Sequence, residues 1–127
     1  MNTKLTLKVV LVLTLTVLIS ASALAEVTEE DAKAKIKKMD GKELYKNFCK
    51  VCHMEDSAAG EYTPMSLIMD QWDEFFDDTL AETHQDLACP KDEETKLMDV
   101  IDKDMIKKIR KFCVDHAADS EQPMTCG

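Results

Sequence analysis

The chain has 127 residues, with 16 Lys or Arg against 25 Asp or Glu and a formal charge of −9 at neutral pH. Such a field repels phosphate backbones and anionic lipid headgroups, which argues against nucleic acid or a membrane surface as the partner. The length suits one domain, and four Phe, two Tyr and one Trp leave its core short of large hydrophobes.

The first predicted element is an export signal. Lys4 and Lys8 precede an apolar run from Val9 to Ile19, and Ala23-Leu24-Ala25 precedes Glu26. A positive start, a short hydrophobic centre and small residues before the cleavage point predict a cleaved secretory signal peptide over residues 1–25. The apolar run is shorter than the roughly 20 residues a spanning helix needs, so no stable membrane insertion is expected after cleavage. No Cys lies at the cleavage point to take a lipid. Removing two lysines and no acidic residue leaves 102 residues with a charge of −11. The expected address is the periplasm of a Gram-negative cell.

Residues 26–39 form a predicted helical extension, opened by Thr28 in a capping-box-like start and carrying few apolar positions. Asp40-Gly41 ends it, and residues 40–127 constitute the main domain. The next helix, residues 42–49, gathers Leu44, Tyr45 and Phe48 on one face and runs into Cys49-Lys50-Val51-Cys52-His53. C-x-x-C-H is the attachment spacing of a c-type haem. Two thiols three positions apart add across the two vinyl groups of one porphyrin, and the next imidazole binds the iron as the proximal ligand. A thioredoxin-like pair would be set in a βαβ pattern, which is absent. A structural zinc site would need a second, cleanly spaced ligand pair, which Cys89, Cys113, His116 and Cys126 do not form.

After His53 an irregular loop over residues 54–63, bent at Gly60, ends at Pro64. A third helix is predicted over residues 66–80, with Leu67, Ile68, Trp72, Phe75 and Phe76 inward and Asp73-Glu74 and Asp77-Asp78 solvated. Residues 81–96 read as polar and turn-like, containing His84 and Cys89-Pro90. Asp102 caps the last helix, whose apolar stripe is Met105, Ile106, Ile109, Phe112 and Cys113. That helix fades at Ala117-Ala118-Asp119, with His116 in its last turn. With no strand pattern visible, the expected fold class is all-α.

The order helix, C-x-x-C-H, loop, helix, ligand loop, terminal helix resembles a class I, monohaem cytochrome c over roughly residues 40–118. The resemblance implies a small helical domain wrapped around one covalent haem c. It implies that Gly41 lets the first and last helices cross closely, with Phe112 beside it. It makes Pro64 the source of a backbone carbonyl for Nδ1 of His53, a bond that fixes the tautomer. It puts the distal iron ligand at Met98, with His84 as the bis-histidine alternative; Met54 and Asp99 stand where the family carries Gly and Pro. The implied function is single-electron transfer between redox proteins that offer a basic docking patch. A haem-based NO or CO sensor with an open sixth position is the alternative. No convergent acid–base pair points to an enzyme. Cys89, Cys113 and Cys126 remain, and an oxidising compartment predicts one disulfide among them, with all three pairings open.

Overall fold

In the computed structural model, residues 28–124 are described; the predicted signal peptide and Cys126 lie outside them. The chain divides into two units, residues 1–32 and 33–127. Among the described residues no helix is long and apolar enough to cross a membrane.

Helix α1 (Glu29–Lys37) starts where Thr28 Oγ1 accepts a hydrogen bond from the Asp31 amide at 3.4 Å, and none of its residues is buried. Asp40 then serves as a new N-cap: its carboxylate accepts from the Glu43 amide at 2.8 Å while Glu43 accepts from the Asp40 amide at 3.2 Å. This reciprocal box opens α2 (Gly41–Leu44), which continues unbroken into a π-helical turn, Tyr45–Cys49. After the loop, a single 3₁₀ turn (Pro64–Ser66) precedes α3 (Met69–Glu74), a second π-helical turn (Phe75–Thr79) and α4 (Leu80–His84), one continuous run. Strands β1 (Ala88–Cys89) and β2 (Asp92–Lys96), helix α5 (Leu97–Val100) and helix α6 (Lys103–Asp115) complete the order.

The core forms where α2 and its π turn lie across α6. A Cβ on Gly41 would collide with the Lys108 carbonyl and lie 2.9 Å from Phe112 Cβ, so only glycine allows this approach. Leu44, Tyr45 and Phe48 are buried against Met105, Ile109, Phe112 and Cys113, with Trp72 of α3 closing the layer. Each such side chain contributes about 1.5–3 kcal/mol through burial. Asp102 caps α6 as expected, accepting from the Asp104 and Met105 amides at 3.1 and 2.9 Å. Lys108 Nζ donates to the carbonyls of Lys37 and Met39 at 2.9 and 3.1 Å, holding the chain just ahead of α2 to the same helix.

The all-α expectation is overturned by the antiparallel pair β1–β2, whose register runs Ala88 to Lys96 and Cys89 to Asp92 with an irregularity between. The segment Asp92–Lys96 has no alternating pattern, and nearly all of it is exposed. Its pairing is imposed by the turn at Pro90-Lys91, by buried Cys89, and by Asp92 accepting from the Glu94 amide and the Thr95 hydroxyl at 3.1 and 2.5 Å. The Leu97 amide closes the unit by donating to the Leu87 carbonyl at 2.9 Å. The third helical run also differs from its predicted span. The 3₁₀ turn delays its start to Met69, and it continues through Ala81, Glu82 and Thr83 to His84. Asp73 and Asp77, expected to be merely solvated, grip Arg110 of α6: Nε donates to Asp73 at 2.6 Å, and Nη1 and Nη2 donate to Asp77 at 2.5 and 3.0 Å.

Candidate functional site

The C-x-x-C-H residues leave the π turn and fold back on it. The Lys50 amide bonds to the Tyr45 carbonyl at 2.9 Å, the wide turn's own hydrogen bond, and the Cys52 and His53 amides both bond to the Cys49 carbonyl at 3.1 and 3.0 Å. Cys49, Cys52 and His53 are thereby held within one turn. Cys49 is half-buried and Cys52 exposed. Burial, and secondarily the Cys52 thiol, push Cys49 up to about 12. A thiol kept protonated in this way is a poor nucleophile for disulfide exchange, whose reactive cysteines have lowered pKa values.

The loop that follows turns His53 inward. Asp56 and Gly60 adopt left-handed conformations with φ of 63° and 78°. They bring the Gly60 carbonyl to 3.1 Å from His53 Nδ1. Pro64 does not supply that bond: its carbonyl accepts from Trp72 Nε1 at 2.8 Å in the interior. The expected role therefore passes from Pro64 to Gly60, because the bend at Gly60 brings the loop back to the imidazole four residues earlier. With Nδ1 engaged, Nε2 is the ring nitrogen left to bind a metal.

Two cavities of about 440 Å³ each open beside these residues. Both are lined by Cys49, His53, Ala59, Phe76, Leu80, Thr83, His84 and Ile109. One extends over Tyr45, Tyr62, Leu67, Trp72, Phe75, Thr79 and Cys113. The other reaches Phe48, Cys52, Leu87, Leu97, Met98, Ile101 and Ile106. Their walls are overwhelmingly apolar, and each volume falls in the range of small-molecule sites. Both π turns contribute to these walls, where an extra residue per turn re-aims side chains, as π insertions at functional sites do. Tyr45 is anchored there by donating its hydroxyl to the Tyr62 carbonyl, and burial raises its pKa.

His84 ends α4 on the opposite wall. Its Nδ1 lies 3.0 Å from the Leu80 carbonyl one turn earlier and 2.7 Å from Thr83 Oγ1. Its ring centroid is 6.1 Å from that of His53 and 6.1 Å from that of Phe75. Burial lowers the His84 pKa, the bond to Leu80 opposes that, and the nearby His53 lowers it further. The sequence pattern puts His84 in a polar, turn-like segment, whereas the helix that carries it ends four residues beyond the predicted span. Met98, half-buried on α5, lines one cavity only. His116 lies apart from the site, with Nδ1 at 2.8 Å from the Gln122 carbonyl.

The expected disulfide is not formed among the described residues: Cys89 and Cys113 are separate buried thiols. Cys113 faces one of the cavities, and burial, then the nearby Cys49, raise its pKa. Among the described residues no three His, Cys, Asp or Glu side chains converge on one point. A bare ion there would lack a full protein ligand set. A porphyrin would bring most of the metal's donors itself, Cys49 and Cys52 could hold it, and His53 could supply a nitrogen ligand, so the residues present fit such a group. Comparison with protein-family models, curated proteins and solved structures finds no match to this chain.

Proposed function

We propose that the chain is an exported, periplasmic c-type cytochrome that carries one covalent haem c and passes single electrons between larger redox proteins. The observation that carries the reading is the convergence of Cys49, Cys52 and His53 on one apolar space, with His53 already oriented through Gly60. When bound, haem supplies reversible one-electron chemistry of the iron. The chain's own residues do the rest. Cys49 and Cys52 retain the group, and the Gly60 carbonyl fixes the His53 tautomer. Phe48, Trp72, Phe76 and Ile109 exclude water from its faces. Exposed Cys52 and its exposed neighbours Val51 and Met54 mark the edge at which electrons enter and leave. The acidic surface suits a donor or acceptor with a basic patch, and association should slow as salt rises.

The test is export in cells that mature c-type cytochromes, followed by denaturation. The polypeptide should stay red, weigh one haem more than its sequence beyond residue 25, and titrate as a single one-electron couple. Replacing Cys49 and Cys52 together with Ala should abolish the added mass. A colourless wild-type chain of bare peptide mass ends this reading.

A further inference from the structure

We infer that His84 is the second axial ligand, so that two imidazoles, from His53 and His84, hold the iron. The inference rests on the haem reading above and deepens it. The two ring centroids are 6.1 Å apart. Imidazoles bonded to opposite sides of one metal ion, each at about 2 Å through nitrogen, place their centroids about 6 Å apart. An ordinary aromatic pair also reaches this spacing, but two further observations separate the cases. Both Nδ1 atoms are braced by backbone carbonyls, Gly60 for His53 at 3.1 Å and Leu80 for His84 at 3.0 Å, which leaves Nε2 free in each ring. Metal-bound histidines are held in the same way through their other nitrogen. A packed aromatic pair also fills its surroundings, whereas this pair lines two cavities of about 440 Å³ each. The interplanar angle of 55° is compatible, since coordination through Nε2 sets no particular angle between the two ring planes.

Met98, where the resemblance puts the distal ligand, borders one of the cavities while His84 borders both. Exchanging a thioether for an imidazole removes the ligand that raises the potential, so the couple lies lower than in a His/Met centre.

The experiment uses exported wild-type holoprotein with the His84→Ala, Met98→Ala and His84→Met variants. Ferric wild type should be low-spin, lack the far-red sulfur-to-iron band, and resist CO once reduced. His84→Ala should become high-spin and bind CO, and added imidazole should restore the low-spin spectrum. Met98→Ala should leave the spectrum unchanged, and His84→Met should raise the midpoint potential. A sulfur-to-iron band in wild type overturns the inference. So does loss of the low-spin form in Met98→Ala but not in His84→Ala. The band decides the question on wild type alone if no His84 variant accumulates. Red protein with the wrong ligation defeats this inference only, whereas a haem-free chain defeats the reading beneath it.

Discussion

His53 and His84 line the same two cavities from backbones held by opposite means. His53 stands on a loop whose course depends on two left-handed residues, Asp56 and Gly60, and on a carbonyl seven positions downstream. His84 closes a helical run and is braced by its own preceding turn at Leu80. The loop wall is joined at once to the core, because the turn ending in Cys49 carries buried Tyr45 and Phe48. The helical wall is locally regular but leans on ion pairs, with Arg110 of α6 reaching Asp73 and Asp77. A site can thus be fixed on one side by core packing and a strained turn, and on the other by a rigid rod held through charges. Perturbations of the two walls should differ in size and in salt and pH dependence.

The largest effect should come from beneath the loop wall. Leu44 is fully buried between α2 and α6. Leu44→Ala should destabilise the protein by about 2–5 kcal/mol, read as a lower urea midpoint with little change in slope. If it proves neutral, the core does not anchor that wall. A smaller loss should follow Gly60→Ala. The added Cβ would lie 3.7 Å from Tyr62 Cε2, an ordinary contact, so the cost is that of holding φ at 78°. That cost is about 1–2 kcal/mol in unfolding experiments. A cost near zero would mean that the loop re-forms without the left-handed residue, and that the carbonyl brace on His53 is replaceable.

What was legible beforehand was local. Asp102 as a cap, the stripe Met105-Ile106-Ile109-Phe112-Cys113 and the face Leu44-Tyr45-Phe48 follow from spacing alone, and the structure buries all of that stripe and face except Ile106, which is half-buried. The approach permitted by Gly41 followed from the family resemblance. Errors arose where non-local partners decide the outcome. Asp92–Lys96 is too polar to signal a strand, and only pairing with Ala88–Cys89 makes it one. The helical run extends to His84 although Ala81-Glu82 do not extend the apolar stripe and Thr83 spends its hydroxyl on the Thr79 carbonyl at 2.8 Å, a bond that does not favour a helix. Asp73 and Asp77 looked solvated because their partner is more than thirty residues away in Arg110. The 6.1 Å spacing of His53 and His84 depends on the packing of both walls, which no periodicity encodes.

The smallest effect should be found at the charged support of the helical wall. The hydrogen bond from Arg110 holds the Asp77 carboxyl below its ordinary range. Because the folded state binds the proton more weakly than the unfolded state, the stabilisation is fully present above the unfolded value of about 4. It is lost as pH falls through the lower folded value. Comparing wild type with Asp77→Asn should therefore show a modest stability gap at neutral pH that closes under acid and narrows with added salt, since the pair is exposed. Amide exchange should quicken over residues 75–84 in the variant and stay unchanged over residues 41–53. Equal acceleration on both walls would mean that the Arg110 pairs support the whole domain, and the contrast between the walls would fail.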